Sequence, residues 1–420
     1  MPLFKHHQMN YKIMNRYLSL ALCGLLMCGA CKKDNPNNDN GGGGGNSGGG
    51  GGTTTTTHAD DKPDDDNTTS TLNITWDATA TKVSHDVYYA EYGRVHRVDA
   101  STLLLTYHCG GQADYWNNIA LRKSTDNGVT WGDAQILMAD NVSGYYGFSD
   151  PDILVMQNGW LMLAYVGRGN PDDNVHDNVQ IRISKDNGNT WGAPQIIAQG
   201  RSWEPGMVQL SDGDIEIFYS SEAKWWPSSN VQQDIELIHS TDNGATWTAP
   251  VQVAYASGDR DGMPVPVQLA NGKGIAFAIE SVNNSQSPWI LWSSNDAKWN
   301  YAGNGTTING RRWLATADNV FGGAPFLTQL PTGETLLSFQ DADGRAISDW
   351  KKSTMLVYRG NGVANKFTRI NNPWPNLPTN EGAYYSSLFQ KDATTIVMVT
   401  TRNMADGHSE IWWKEGHITK

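Results

Sequence analysis

The chain is poor in cysteine: it has 4 in 420 residues, and Cys23, Cys28 and Cys31 all fall near the start. Only Cys109 lies beyond them, so no intramolecular disulfide framework can staple the body of the protein. A lone cysteine on an apolar run reads as core. Metal-ligand spacing is lacking too. His108 and His176 have no partners at ligating intervals, so neither a metal nor a cofactor is expected. No glycine-rich phosphate loop stands between a strand and a helix, and the glycine-rich run at 41–52 reads as linker. Excess positive charge is also missing: the formal net charge of −12 argues against nucleic acid or an anionic membrane as partner. Part of that charge belongs to the acidic stretch 60–66. No long helical period appears anywhere, and the apolar run 18–27 is too short to span a bilayer.

That run has the form of a targeting segment, with Lys12 and Arg16 ahead of it and Cys28-Gly29-Ala30-Cys31 behind it. Small residues before a cysteine resemble a bacterial lipobox, with Cys31 as the lipidated residue, and Lys32-Lys33-Asp34 resembles the export tail of surface lipoproteins. The resemblance implies an outer-membrane, surface-exposed lipoprotein that touches the membrane only through its lipid. The alternative is an ordinary secretory signal cut near Ala30. Residues 32–71 are rich in Asn, Gly, Thr and Asp and cannot bury a core, which predicts a tether. A single domain is expected over 72–420.

What the chain has in quantity is aromatic: 17 Trp and 16 Tyr, enough for a core and a sugar-binding face alike. It also has a repeat. Ser-x-Asp-Asn-Gly-x-Thr-Trp occurs at 124–131, 184–191 and 240–247, its Asp falling at 126, 186 and 242. Each copy predicts a tight turn in which Asp and Asn accept local backbone hydrogen bonds and Gly supplies positive φ. A worn copy follows as Ser294-Asn295-Asp296 with Trp299. Near-constant spacing of such turns means a repeat architecture.

Six comparable units can be laid out, each with an apolar strand, a turn and a second apolar strand: 94–98 with 102–107, 152–156 with 160–165, 207–210 with 215–219, 265–269 with 275–279, 326–330 with 335–339, and 385–389 with 395–399. The expected fold is all-β, a six-bladed β-propeller, with the segment between Leu72 and Tyr89 completing the last blade. The repeated turns resemble Asp-boxes, the mark of sialidase-like propellers, over roughly residues 75–417. They sit on the rim, so structural roles are expected of them.

In a propeller the first strands converge on the axis, and chemistry is sought where they begin. Those positions are Arg94, Asp150, Asp152, Glu204, Asp261, Ala324, Tyr384 and Tyr385, with Glu222 and Glu280 closing second strands. Asp150 and Asp152 flank Pro151 and also fit a turn cap; Tyr385 also fits ordinary packing. Trp116, Tyr145, Tyr146, Phe148, Trp225 and Trp226 are read as loop aromatics able to stack on sugar rings.

Trp203-Glu204-Pro205 resembles the sialidase strand with a catalytic Glu, Ala383-Tyr384-Tyr385 resembles the strand with the sialidase Tyr, and Arg94 stands at the first arginine of that family's triad. The other two arginines are missing: Glu222 and Ala324 stand near their places. A Glu would repel a sugar acid, which needs a cationic clamp. The chain is more similar to glycoside hydrolase family 93, exo-α-1,5-L-arabinanases that retain configuration with two glutamates. That resemblance implies Glu204 as acid/base, Glu280 as nucleophile with Glu222 as its rival, and Tyr385 as a catalytic aid. Arg94, Asp150, Asp152, Trp203, Glu222, Asp261 and Tyr384 are the expected substrate contacts. Trp203 would supply an apolar wall that raises the pKa of Glu204, and Arg94 would steady the nucleophile. The implied substrate is a neutral plant polysaccharide, α-1,5-arabinan, cut to arabinobiose by a monomer. A sialidase-type glycosidase (with Arg260 or Arg345 completing a cationic site) and a non-catalytic glycan-binding lipoprotein are the alternatives.

Overall fold

The computed structural model describes residues 70–111, 118–228, 230–283, 285–293, 312–316, 321–347 and 349–419. The expected leader, the expected tether as far as residue 69, Trp116, and the worn repeat at Ser294–Trp299 lie outside them. The described part contains six antiparallel sheets in chain order. Blade I is Tyr89–Arg97, Leu103–Gly110, Asn118–Ser124 and Gln135–Met138. Blade II is Tyr145–Val155, Leu161–Gly169, Asn178–Ser184 and Gln195–Gln199. Blade III is Ser202–Gln209, Ile215–Ser221, Asp234–Ser240 and Val251–Ala254. Blade IV is Arg260–Gln268, Ile275–Asn283, Ser285–Ser293 and Arg312–Leu314. Blade V is Gly323–Gln329, Thr335–Asp341, Thr354–Gly360 and Thr368–Asn371. Blade VI is Gly382–Gln390, Thr395–Asn403 and Ser409–Thr419.

The early strand Asn73–Trp76 completes blade VI, pairing from Asn73 against Thr419 to Trp76 against Gly416. The ring is therefore closed by hydrogen bonds between the two ends of the domain, which leaves only short edges around its rim. This is the six-bladed propeller expected, and its closing segment is the one expected.

The second strand of each blade is buried on both faces. In blade I, Leu103 and Leu105 pack towards blade VI, whereas Leu104 packs towards blade II. In blade IV, Ile275, Phe277 and Ile279 face blade III, and Ala276 and Ala278 face blade V. Period-2 alternation thus feeds two different interfaces, so these strands read as unbroken apolar runs. The core is a set of six layers between blades. Cys109 lies in one of them, its thiol pushed up to about 12 by burial.

The rim turns staple the same layers. In each, the Ser hydroxyl donates to the Asp carboxylate at 2.8–2.9 Å and accepts from the Gly N–H at 2.8–2.9 Å. The Asp also accepts from the Thr N–H at 2.8 Å. Both Asn and Gly have positive φ. Each Gly is pressed onto the preceding blade: a Cβ on Gly128 would meet Trp413 at 2.8 Å, on Gly188 Leu104 at 3.3 Å, on Gly244 Met162 at 2.6 Å. Glycine is required there by conformation and by space.

The inner strands begin earlier than expected, because each carries a bulge. At the bulge one non-glycine residue adopts left-handed φ: Tyr92 at 63°, Asp150 at 55°, Glu204 at 52°, Met263 at 56°, Ala324 at 47° and Tyr385 at 47°. The ladder register slips at each of these six places. Such a conformation costs about 1–3 kcal/mol per residue and persists only where the surroundings over-determine it. Two consequences correct the loop assignments. Tyr145, Tyr146 and Phe148 lie in the inner strand of blade II rather than a loop, and Phe148 is fully buried. Asp150 sits in a mid-strand bulge and Asp152 just past it, neither in a turn cap. Trp225 and Trp226 do lie in a turn.

Candidate active site

The six bulges form a ring about the axis. Tyr92, Met263, Ala324 and Tyr385 pack together there, and Asp150 and Glu204 occupy the two remaining positions. The Glu204 carboxyl is half-buried. Its Oε2 accepts from the Ser220 hydroxyl at 2.9 Å and from the Met263 N–H at 2.9 Å. Burial, then the charges of Asp150 and Glu280, push it up to about 8. It is thus a carboxyl that keeps its proton near neutral pH.

Glu280 enters from the second strand of blade IV. Its Oε2 accepts from the Ala324 N–H at 2.6 Å and from Gln286 Nε2 at 2.7 Å. Burial raises its pKa, while those two donors and the Arg260 charge pull it back. Burial thus raises both glutamates, but neighbouring anions add to the rise at Glu204, whereas two donors and, least, a cation offset part of it at Glu280. That is the pattern of a division between acid and nucleophile.

Tyr385 is half-buried, T-stacked on Tyr92 and Tyr384, and packed on Trp350. Burial, followed by the charges of Glu91, Glu204, Glu280 and Asp150, holds its phenol protonated.

Several expected substrate contacts turn out to be buried and committed to protein partners. Arg94 lies two residues past the bulge, donates to Gly93 O at 3.1 Å, and covers the Tyr92 ring at 3.8 Å. It therefore stacks on Tyr92, and the cation whose field acts on Glu280 is Arg260. Asp261 is fully buried and receives two bonds from Arg312, at 2.5 and 2.8 Å. Tyr384 is fully buried and donates to Glu91 at 2.6 Å. Glu222 is buried between Arg201 at 2.8 Å and Arg260 at 2.5 Å, which hold its pKa down against burial. Its second-strand register is also wrong for the ring: Glu280 pairs with Gly262, the place Ser220 takes against Trp203 in blade III. Asp152 bridges to His96 at 2.8 Å. Trp203 is half-buried with the Arg168 guanidinium over its ring at 3.5 Å, so it backs a cation, and the rise of Glu204 comes first from burial in the ring.

The sequence reading missed Tyr92, His108, Ser220, Gln286, Arg168 and Arg201. One signal was available. Four of the six bulge residues precede proline, as Asp150-Pro151, Glu204-Pro205, Met263-Pro264 and Ala324-Pro325. Proline inside an apolar strand marks a bulge or an edge, and aligning the units on it would have put Met263, not Asp261, on the axis, whereas Tyr92 precedes Gly93 and carries no such mark. Arg168 and Arg201 carry no such mark. Arg168 is fully buried, donating to Ser202 O at 2.6 Å, and Arg201 bridges to Asp172, Asp177 and Glu222.

Comparisons with known proteins agree with the fold. A family model for a BNR repeat-like domain matches residues 161–310. A sialidase of Micromonospora viridifaciens is 28% identical over 192 residues, 40% of this chain and 29% of that protein. This chain thus matches less than a third of that relative's length. Among solved structures, the family 93 α-L-arabinofuranosidase of Fusarium graminearum, determined with arabinobiose, superposes with a TM-score of 0.60 at 17% identity, covering 80% of this chain and 97% of that one. The α-L-arabinanase of Penicillium chrysogenum, also with arabinobiose, gives 0.56 at 17% identity over 81% and 97%. The chain therefore shares the six-bladed propeller fold of these structures, and its residues 161–310 resemble a BNR repeat-like domain.

Proposed function

We propose that this protein is a retaining glycoside hydrolase that works from the chain end of a neutral plant polysaccharide, α-1,5-L-arabinan, and releases arabinobiose. The observation that carries this reading is the pair of ring carboxyls in unlike surroundings: Glu204 is held protonated beside Asp150 and Glu280, and Glu280 is bound by two donors and faced by Arg260. In the first step the Glu280 carboxylate attacks the anomeric carbon. The glycosidic C–O bond breaks, and the Glu204 proton passes to the departing oxygen. In the second, Glu204 takes a proton from water, whose oxygen displaces Glu280 at the same carbon. The Tyr385 phenol, neutral throughout, donates a hydrogen bond to the sugar or the nucleophile.

A neutral substrate is supported by the cations near the site. Arg168, Arg201 and Arg260 are each bound to carboxylates of Asp177, Asp172 or Glu222. A sugar acid would need such a fork unoccupied. Arg345, the other arginine considered for a sialidase-type site, is spent on carbonyls of Lys352, Leu377, Pro378 and Glu381. The likeness to the arabinobiose-bound structures supports the same choice. We place the protein, as a monomer, at the outer membrane through lipidated Cys31, with 32–71 as its tether.

The test is incubation with linear arabinan and separation of products over time, with NMR of the first product's anomeric configuration. A single disaccharide from the earliest time, of retained configuration, upholds the proposal. Release only from a sialyl fluorogenic substrate would transfer the activity to the sialidase class. Glycan binding that survives Glu204→Gln and Glu280→Gln, with no product from any substrate, would make it a binding protein.

A further inference from the structure

Around the ring, the backbone N–H of every bulge residue is accepted by a side chain of the preceding blade. Five of the six acceptors occupy one register position, the second-strand residue opposite the residue before the bulge. They are His108 opposite Glu91, Ser220 opposite Trp203, Glu280 opposite Gly262, Gln340 opposite Gly323 and Thr401 opposite Tyr384. His108 Nδ1 receives Asp150 N–H at 3.2 Å, Ser220 Oγ receives Met263 N–H at 3.0 Å, and Glu280 Oε2 receives Ala324 N–H at 2.6 Å. Gln340 receives Tyr385 N–H at 3.4 Å and Thr401 receives Tyr92 N–H at 3.1 Å.

Blade II breaks the pattern. Its residue in that position, opposite Ser149, is Val166. Valine has no acceptor, and this one lies in the apolar layer between blades II and III. The N–H that would lose its partner is that of Glu204. Asp150 Oδ2 takes it at 3.3 Å, and also accepts from the Ser149 hydroxyl at 3.2 Å. We propose that Asp150 is a positioning residue for Glu204: standing in for the acceptor that Val166 lacks, it pins the Glu204 backbone in its left-handed bulge and sets a negative charge beside the Glu204 carboxyl. The proposal rests on Glu204 as the general acid and deepens that reading.

The charge has the right surroundings to act. Glu204 is faced by Asp150 from blade II, Glu280 from blade IV, and the phenol of Tyr385 from blade VI; the phenol of Tyr92 lies on the blade I side. Behind Asp150 stands His108, its Nδ1 3.6 Å from Asp150 Oδ1. Because that nitrogen accepts the Asp150 N–H, the ring proton is assigned to Nε2, which faces Glu91 at 3.9 Å. A general acid must hold its proton until the leaving oxygen takes it, and a neighbouring carboxylate enforces this.

Charge and pin separate by substitution. Asp150→Asn keeps an acceptor oxygen and removes the charge. Asp150→Ala removes both. Asp150→Ala with Val166→Thr restores an acceptor of the kind Thr401 provides, without the charge. The full-length protein is labelled with [5-13C]glutamate and the Glu204 carboxyl, assigned by its loss in Glu204→Gln, is titrated. In parallel, the pH profile of arabinan hydrolysis is recorded. In Asp150→Asn the Glu204 titration and the basic limb of the profile should both move to lower pH, by about one unit. Asp150→Ala should lower kcat roughly a hundredfold with KM little changed, as expected of a misplaced acid, and the double variant should regain most of that loss. An unmoved Glu204 titration in Asp150→Asn overturns the electrostatic role; a double variant no better than Asp150→Ala overturns the pin. The carboxyl titration needs no substrate, so a protein inert on arabinan whose Glu204 still shifts in Asp150→Asn keeps Asp150's role and sinks only the arabinan reading.

Discussion

The rim and the axis of this propeller use the same local trick to opposite ends. Both place non-glycine residues at positive φ, at Asn127, Asn187 and Asn243 on the rim and at the six bulges around the axis. Both tie each blade to the one before it. On the rim the residues repeat, and so do the bonds that Ser, Asp, Gly and Thr make among themselves. Around the axis the backbone repeats while the side chains vary, with two Tyr and one each of Asp, Glu, Met and Ala at the bulges. Their carboxyls also differ in sign of shift. Asp126, half-buried, and Asp186 and Asp242, exposed, drop to about 2, because the Thr hydroxyl and N–H donate to the ionised form. Glu204 is half-buried beside other anions and rises to about 8. Identical side chains mark a place whose task is the same in each blade, and a shared backbone with varied side chains marks the place free to carry chemistry.

The largest test of this contrast is at the axis. Glu204→Gln or Glu280→Gln should cut product release by at least about a thousandfold, as read on arabinan, since each keeps the amide oxygen that accepts its neighbour's N–H. Folding, followed by urea denaturation, should survive both. At the rim the outcome should reverse. Gly128→Ala forces a Cβ to within 2.8 Å of Trp413 at φ 88°, and should cost about 1–3 kcal/mol of stability in the same urea experiment, with kcat unchanged.

Proton linkage sharpens the comparison further. Glu204's folded pKa lies above its unfolded value, so its favourable contribution is complete below about pH 4.5 and is lost as pH rises towards about 8. Glu204→Gln should therefore gain stability relative to the native protein between those limits, on the order of 1–2 kcal/mol after allowance for solvent screening. An unchanged stability difference between pH 5 and pH 8.5 would remove the electrostatic strain assigned to this site. The rim carboxylates are depressed, so their contribution stands above about pH 4 and is lost as pH falls towards about 2. The smallest expected effect follows from this: Asp126→Asn should lower the thermal midpoint slightly at pH 6, and the difference should vanish near pH 2.

Fold and site were legible to different depths. The Ser-x-Asp-Asn-Gly-x-Thr-Trp turns were readable because the bonds among their Ser, Asp, Gly and Thr are local, donor and acceptor lying within eight residues. The unit count came from the six paired apolar strands, and the closing strand from the count. Glu204 was readable from its Trp-Glu-Pro context. The axis as a whole was offset by two residues in blades I and IV, where Arg94 and Asp261 stood in for Tyr92 and Met263. A bulge inserts a residue into the ladder, and counting along a strand by twos cannot see it. The rivalry of Glu222 and Glu280 was likewise a question of register across strands, which spacing along the chain does not answer. Arg201 and Arg260 are 59 residues apart, from 201 to 260, and only folding brings them to either side of Glu222.

The sequence by itself determined the all-β class, the six-fold repeat, the rim turns and the lone buried thiol, because each depends on short-range patterning of apolar, turn and hydrogen-bonding residues. Tertiary structure alone decided which carboxyls share the axis, which arginines are already occupied, and that Asp150 does for Glu204 what Val166 cannot. Those are properties of distance and dielectric between blades, and they exist only once the ring has closed.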